Sequence, residues 1–201
     1  MQSLKKTIDY LQKNYPEIPI ILDAKRGDIG HTNSAYIKLI FDYLNVDAVT
    51  LHPYLGKESL LPFLSLKDKF FFILCRTSNP GAGELQDLEV KEKKLYQYVA
   101  EQVVKKWNFN NNCGLVVGAT YPEELRIVRK IVGEMLFLIP GVGKQEGDIE
   151  KTIKAAEGGP FLINSSRSII FASSGKDFTE AARKETQKLK EEINKSRKRD
   201  E

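Results

Sequence analysis

The sequence predicts an α/β protein in which strands and helices alternate and the strands form a mostly parallel sheet. Short apolar runs rich in Ile, Val, Leu or Phe recur along the chain, as in parallel strands that are buried on both faces. Stretches with helical spacing of apolar residues, such as Leu4, Ile8 and Leu11, lie between these runs. Each run ends in a turn with polar, glycine or proline residues. A closed (β/α) barrel gathers all such turns around one mouth, whereas an open sheet uses mainly those at its switch point, so a barrel is favoured.

Six strands are predicted, at residues 18–22, 48–51, 70–74, 114–117, 136–139 and 161–163. A (β/α)8 TIM barrel has eight strands, and this chain begins with a predicted helix. We therefore expect residues 1–201 to form a single barrel domain that holds about six strand–helix units. We also expect that two units which normally precede them are absent from this sequence.

The charge distribution argues against a nucleic-acid partner. The chain has 31 Lys and Arg residues and 27 Asp and Glu residues, which gives a net charge of +4, and the two signs are interleaved along the predicted helices. This pattern is typical of a solvated surface. The one basic cluster, at residues 195–199, lies at the C-terminus, where the end of a frayed helix is the simpler interpretation.

Neither a membrane nor an oxidising compartment is indicated. The first residues open an amphipathic pattern without an apolar signal core, and no apolar run approaches the length that spans a bilayer. Cys75 and Cys113 each lie inside an apolar run, without a CxxC partner, and are expected to be buried and reduced. The sequence therefore predicts a cytoplasmic protein.

The first predicted strand leads into the segment that carries most of the charge chemistry. Side chains two apart on a strand share a face, so Asp23 and Lys25 are expected to point together into the mouth of the barrel, with Asp28 just beyond. A surface ion pair is the alternative, but charges that leave a buried strand would be costly without a role. A lysine held between carboxylates stays protonated and can act as a general acid, which suits chemistry that creates a carbanion.

Two later loops are candidates for binding a phosphate. Residues 139–148 follow a strand and open a helix, so backbone N–H groups near Pro140, Gly141 and Gly143 could surround a phosphate, although a simple tight turn is equally compatible with these glycines. Residues 164–167 follow the last strand. Because the final two loops of a phosphate-binding barrel commonly share the phosphate, Arg167 is the natural counter-ion.

Two further features stay open at this point. Residues 77–83 could present hydroxyl and amide groups to a heterocycle or could form only a flexible loop. His52 could contact a ligand or stabilise the end of its strand, and its position slightly favours the structural role.

Residues 23–32, with the sequence Asp-Ala-Lys-Arg-Gly-Asp-Ile-Gly-His-Thr, resemble the signature of the orotidine 5′-phosphate decarboxylases, in particular the branch with Lys-Arg-Gly-Asp-Ile-Gly. Residues 53–56, 76–83, 117–122, 140–143 and 164–167 also resemble that branch, in the same order. The resemblance covers essentially the whole chain. It implies a (β/α)8 barrel, a homodimer with shared active sites, and conversion of orotidine monophosphate to uridine monophosphate without a metal or organic cofactor.

The resemblance also implies roles for single residues. Lys25 resembles the proton donor to the pyrimidine carbon that loses CO2, and Asp23 resembles the carboxylate that faces the departing group. The remaining matches are a portion that reaches into the partner's site (Asp28, Ile29 and Thr32), a pyrimidine-recognising serine (Ser78), and residues that close over or bind the phosphate (Gln145 and Arg167). An aspartate and a lysine that the family places after its first two strands have no counterpart here.

Two rival functions are compatible with the same residues. Sugar-phosphate decarboxylases and aldolases of the same superfamily share the Asp-x-Lys-x-x-Asp core and recruit magnesium through additional acids. Ser78 together with Gln145 argues instead for a pyrimidine. The other rival is a non-catalytic chain that dimerises or binds a nucleotide phosphate without turnover, because missing strands would expose sheet edges.

Overall fold

A computed structural model describes residues 1–142 and 148–197 of the chain. Its contacts divide the chain into two compact units. The first comprises Met1–Leu74 with Gln102–Leu115, and the second comprises Cys75–Glu101 with Val116–Glu201. Two strands contribute residues to both units.

Strands and helices alternate as predicted, except that two short strands, Glu89–Val90 and Lys93–Lys94, follow one another and were not predicted. In chain order they begin with α1 (Gln2–Asn14), β1 (Ile21–Arg26), α2 (Gly30–Ile37, continued by a π-helix, Lys38–Tyr43), β2 (Ala48–Leu51), α3 (Gly56–Leu64) and β3 (Phe70–Arg76). A 3₁₀ turn (Pro80–Ala82), α4 (Gly83–Gln86), β4 (Glu89–Val90), β5 (Lys93–Lys94), α5 (Leu95–Gln102, continued by a π-helix, Val103–Trp107) and β6 (Cys113–Val117) follow. The chain then forms α6 (Pro122–Val132), β7 (Phe137–Pro140), α7 (Ile149–Ala156), β8 (Phe161–Asn164), α8 (Arg167–Ile170) and α9 (Phe178–Arg197).

The order of the strands confirms the predicted fold class. Six strands form one sheet in the order β1-β2-β3-β6-β7-β8, and a separate antiparallel pair joins β4 to β5. The pairs β1–β2, β2–β3 and β7–β8 are parallel. Neighbours in the six-stranded sheet follow chain order throughout, whereas an open doubly wound sheet reverses its order at a switch point. The arrangement is therefore the one that a (β/α) barrel uses, with six strand–helix units.

The six predicted strands are all present, but the first is displaced. It was expected at residues 18–22 and spans Ile21–Arg26, so Asp23 and Lys25 lie within the strand and not in a turn after it. The strand continues because its last residue still pairs with β2: Arg26 lies opposite Leu51, and the Arg26 carbonyl accepts a hydrogen bond of 2.9 Å from the His52 N–H. Pairing with β2 thus outweighs the low strand propensity of the polar residues in this segment.

The core of the first unit is aromatic and aliphatic. All four residues of β2 are buried, as predicted for a strand that is covered on both faces. The Phe71 ring of β3 packs edge to face against the rings of Phe41 and Phe63. The ring centroids are 6.0 Å and 6.1 Å apart, an arrangement that aromatic pairs prefer. Full burial of each such side chain contributes about 1.5–3 kcal/mol.

In the second unit, Arg129 holds the starts of two strands. It lies on α6, a helix with Pro122 at its beginning, two acids in its first turn and Gly133 after its end at a φ of +59°. The guanidinium is buried, stacks 3.7 Å from the centre of the Phe137 ring, and donates to the carbonyls of Gly133, Met135, Ala156 and Pro160 at 2.6–3.0 Å. Burial lowers its pKa to about 10. These bonds anchor the chain immediately before β7 and β8.

The cysteines fit the expectation from the sequence. Cys75 and Cys113 are both buried and not joined in a disulfide. Burial raises the pKa of each thiol to about 12, so neither forms a reactive thiolate at neutral pH. Within the described part of the chain, no helix combines the length and apolar character needed to cross a bilayer.

Candidate active site

The segment with Asp23 and Lys25 forms a bulge in β1. Leu22 pairs with Val49 and Arg26 pairs with Leu51, so three residues of β1 lie opposite a single residue of β2, which is Thr50. Lys25 accommodates the extra length with a φ of +48°, in the left-handed region that residues other than glycine seldom adopt. Regular strand alternation, on which the sequence argument relied, does not hold across this bulge.

Asp23 and Lys25 nevertheless meet, because Thr50 holds both of them. The Lys25 ammonium lies 2.5 Å from Asp23 Oδ2. The Thr50 hydroxyl donates to Asp23 Oδ1 at 2.8 Å and accepts from the Lys25 backbone N–H at 2.9 Å. Both oxygens of the carboxylate are thus fixed by charged or hydrogen-bonding partners, and the lysine is held at both ends.

The ion pair is half exposed, which corrects one step of the sequence argument. The exposed fractions are 50% for the Lys25 side chain and 55% for Asp23, so burial does not make this pair costly. An exposed pair contributes only about 0–1 kcal/mol to folding. The unusual backbone of Lys25 is the stronger functional signal, since strained residues persist where surrounding contacts hold them and cluster at active sites.

Asp28 lies in the turn after β1, where Asn33 fixes its backbone. The Asn33 side chain accepts a hydrogen bond of 2.9 Å from the Asp28 N–H and donates to the Asp28 carbonyl. The Asp28 carboxylate accepts from the Ile29 N–H at 2.7 Å. Asn33 is fully buried, whereas Ile29 and Thr32 are exposed beside this turn. The main chain of this turn is therefore held by Asn33, and the side chains of Ile29 and Thr32 beside it are exposed.

His52 has a structural contact in this segment. The His52 ring atom Nε2 lies 2.8 Å from the carbonyl oxygen of Gly27, and the His52 backbone N–H donates to the Arg26 carbonyl. A Cβ on Gly27 would lie 2.7 Å from the imidazole ring, closer than side chains pack, so a larger residue here would displace the His52 ring. The structural alternative for His52 is the one that these contacts support.

In the second unit, Ser78 follows β3 and lies against the end of β6. A Cβ on Gly118 would come within 2.7 Å of Ser78 Cβ and 2.9 Å of its backbone, so this glycine permits the approach. The preceding residue is held by Gln86, whose side chain accepts from the Thr77 N–H at 2.9 Å and donates to the Thr77 hydroxyl at 2.8 Å. The segment that carries Ser78 is therefore fixed on both sides and does not behave as a loose loop.

Arg76, the last residue of β3, also anchors the segment that carries Ser78. Its buried guanidinium bonds Asp87 at 3.1 Å and Gln86 at 3.4 Å, and it lies 4.2 Å from the centre of the Tyr121 ring. An Arg–carboxylate pair with low exposure resists screening by salt and keeps its geometry better than a surface pair. Arg76 thus fixes the residues from the end of β3 to the end of α4.

The loops that follow β7 and β8 begin side by side, as far as Val142 in the first of them. Pro140 pairs with Asn164 at the ends of the two strands, and Gly141 takes a φ of +90°, which requires glycine. The Ser165 hydroxyl donates to the Val142 carbonyl at 3.0 Å, which joins the two loops. Arg167 begins α8 and is exposed. Gly143 and Gln145, the other predicted phosphate residues, lie outside the described residues.

The predicted site residues thus fall into two groups. Asp23, Lys25 and Asp28 belong to the first unit, and Ser78, Pro140, Gly141 and Arg167 belong to the second. Among residues 1–142 and 148–197, no group of three or more His, Cys, Asp or Glu side chains could hold a metal ion.

Comparison with known proteins identifies the family. The model of the orotidine 5′-phosphate decarboxylase / HUMPS family matches residues 2–184. The chain belongs to this family.

Individual relatives agree with the assignment. The orotidine 5′-phosphate decarboxylase of Azoarcus sp. (strain BH72) is 49% identical over 194 residues, which cover 95% of this chain and 72% of that protein. The enzyme of the same name from Ralstonia nicotianae is 50% identical over 197 residues, which cover 96% of this chain and 73% of that protein. The structure of Leishmania donovani OMP decarboxylase has 41% identity and a TM-score of 0.84, over 98% of this chain and 74% of its own.

For this member of the orotidine 5′-phosphate decarboxylase / HUMPS family, reasoning from the sequence missed Thr50 and Asn33. Each carries a signal that was available. Thr50 is a polar residue in the otherwise apolar strand Ala48–Leu51, and Asn33 precedes Ile37, Ile40 and Leu44 at helical spacing, on the buried stripe. A buried polar side chain needs a hydrogen-bond partner, so both positions indicated contacts with the neighbouring charged segment.

Proposed function

We propose that the protein which carries this chain decarboxylates orotidine 5′-monophosphate to uridine 5′-monophosphate. The observation that carries the proposal is the Lys25 ammonium, which is paired with Asp23 on a strained bulge in a chain of this family. Backbone strain of this kind costs stability and is concentrated at active sites, which supports a chemical role for the residue that carries it. Relatives that are 49–50% identical bear the name of this enzyme.

In the proposed reaction, the bond between the pyrimidine ring and its carboxylate breaks and CO2 leaves. The electron pair stays on the ring carbon, and Lys25 donates a proton from its ammonium to that carbon. Water then returns a proton to the lysine. Asp23 faces the departing carboxylate, whose charge it repels in the ground state, and it also keeps the ammonium in place. In the proposed dimer, the partner's Asp28 completes the set of charged partners.

Binding is proposed to rest on separate groups for the base and the phosphate. Ser78 recognises the pyrimidine through hydrogen bonds, and its fixed backbone supports that role. The guanidinium of Arg167 binds the phosphate, because a planar guanidinium matches phosphate oxygens in charge and geometry. The remaining phosphate residues are proposed to be Pro140, Gly141, Gly143 and Gln145.

We expect decarboxylation to proceed without a metal ion. The purified protein is dialysed against EDTA, and loss of orotidine monophosphate is followed by ultraviolet absorbance with and without added magnesium. Activity should survive EDTA and should not rise with magnesium, because the proposed acid is the Lys25 ammonium and the phosphate is held by protein groups.

Two results would contradict this proposal in different ways. Loss of all activity in EDTA with recovery in magnesium would favour the magnesium-dependent sugar-phosphate enzymes. Tight binding of uridine monophosphate without turnover of orotidine monophosphate would favour a nucleotide-binding protein that is not an enzyme.

We also propose that the protein acts as a homodimer in the cytoplasm. Asp28, Ile29 and Thr32 would reach toward the partner's site, and Ile29, with an exposed fraction of 61%, offers an apolar contact beside the charged segment. The free cysteines agree with a reducing compartment.

The dimer can be tested by sedimentation equilibrium over a range of concentrations. Ile29→Glu should shift the protein toward monomer, because a charge would enter the proposed interface. Ile170→Glu is the matched control, since Ile170 is similarly exposed at 65% and lies on α8. A monomeric wild type, or equal effects of the two substitutions, would rule out this interface.

A further inference from the structure

We infer that Thr50 is a positioning residue, which sets the orientation of Asp23 and holds Lys25 in the conformation that the proposed proton transfer needs. The inference rests on the proposed function for its catalytic meaning. Its structural basis is independent: a fully buried hydroxyl lies opposite the bulge and contacts both charged residues.

The hydrogen-bond directions around Thr50 are fixed by chemistry. A backbone N–H can only donate, so the Lys25 N–H occupies a lone pair of the Thr50 oxygen. An ionised carboxylate can only accept, so the single hydroxyl proton is directed to Asp23 Oδ1. With the Lys25 ammonium on Oδ2, the three residues close a ring of hydrogen bonds.

This ring compensates for the strain at Lys25. In a regular parallel pair the N–H of a strand residue would bond a backbone carbonyl of the neighbour, but the bulge interrupts the register between Leu22 and Arg26. The Thr50 side chain supplies the acceptor for Lys25 there. Without it, the partly buried N–H would lack this partner, and the φ of +48° would lose a contact that holds it.

Burial supports a role for the hydroxyl beyond packing. Thr50 is fully buried, as are Val49 and Leu51 on either side, so valine would fill the same volume with less loss of hydration. The hydroxyl is thus accounted for by the charged pair that it orients. A half-exposed ion pair alone would not keep one geometry, because water competes for both partners.

The test compares Thr50→Val, which removes only the hydroxyl, with Thr50→Ser, which retains it. Thr50→Val should lower kcat by about tenfold with little change in KM, because a small displacement of the acid affects the chemical step more than binding. Thr50→Ser should restore most of kcat. Ser59→Ala removes another buried hydroxyl, bonded to the Gly56 carbonyl, and should leave kcat unchanged.

A second measurement does not depend on activity. Hydrogen exchange of the Lys25 amide should be faster by about tenfold or more in Thr50→Val than in wild type, while the Val49 amide keeps its rate. If Thr50→Val does not fold, Thr50→Ala takes its place in both measurements.

The outcomes separate this inference from the proposed function. Near-normal kcat in Thr50→Val, or an equal loss of kcat in Thr50→Ser, would overturn the positioning role. A wild-type protein without decarboxylase activity would refute the proposed function, and hydrogen exchange would then decide alone: an unchanged Lys25 amide overturns the inference, and a faster one supports it.

Discussion

Replacing Lys25 with alanine should lower the kcat of orotidine monophosphate decarboxylation by about 10⁴-fold, the upper end of what a positioned acid contributes. The variant loses the ammonium paired with Asp23, and no other lysine is bonded to that carboxylate in the described part of the chain. Binding of uridine monophosphate should change by less than about threefold, because the product needs no proton and its phosphate is proposed to bind elsewhere. Single-turnover kinetics and calorimetry measure the two quantities.

A second substitution distinguishes a proton donor from a simple positive charge. Lys25→Arg keeps the charge beside Asp23, but a guanidinium is not deprotonated in proteins and is a poor acid. It should therefore be nearly as inactive as Lys25→Ala. Substantial activity in Lys25→Arg would show that the charge alone matters. The matched control is Lys67→Ala, an exposed lysine between α3 and β3, which should retain full activity.

The sequence was sufficient for the order of the elements, because burial on both faces leaves a strong local pattern. The run Cys113–Val117 has no charged or strongly polar side chain, and Ala48–Leu51 is apolar except for Thr50; the structure buries every residue of both strands. The alternation alone left an open sheet and a barrel both possible, and the polar turns after every strand favoured the barrel, which has sequential strand order. The end of β1 was placed too early because Asp23, Lys25 and Arg26 do not look like strand residues, and pairing of Arg26 with Leu51 of β2 is what carries the strand past them.

The sequence suggested which residues form the candidate site, but it did not predict their geometry. Asp23 and Lys25 were expected to meet through regular alternation, and they meet instead through a bulge with a left-handed Lys25. At this bulge the Lys25 N–H bonds the hydroxyl of Thr50, which is 25 residues away in the chain. A local pattern cannot report a hydrogen bond between separate strands. The polar residue in a buried strand was the one available sign.

Substitution of Arg167 is the second change for which we expect a large effect, a loss of affinity for the nucleotide phosphate. It begins α8, directly after the loop that Ser165 joins to Val142. The first described residues of the loop after β7 are thus joined to the loop after β8, which the charged Arg167 side chain follows. Gly141, with a φ of +90°, shapes the start of the first loop. Hydrogen bonds to a charged group contribute about 1.5–3 kcal/mol each, so a single lost contact changes affinity measurably.

Arg167→Ala should weaken uridine monophosphate binding by roughly 10- to 150-fold, which corresponds to that range of free energy. Binding of uridine, which lacks the phosphate, should change very little, because the lost guanidinium contact is specific to that group. Arg126→Ala is the matched control: it removes the same charge from α6, where Arg126 pairs with Glu123, and should leave both affinities unchanged. Isothermal titration at two salt concentrations measures these affinities and shows whether the loss is electrostatic. Equal weakening of nucleotide and nucleoside would mean that Arg167 supports the fold of the loop and does not bind the phosphate.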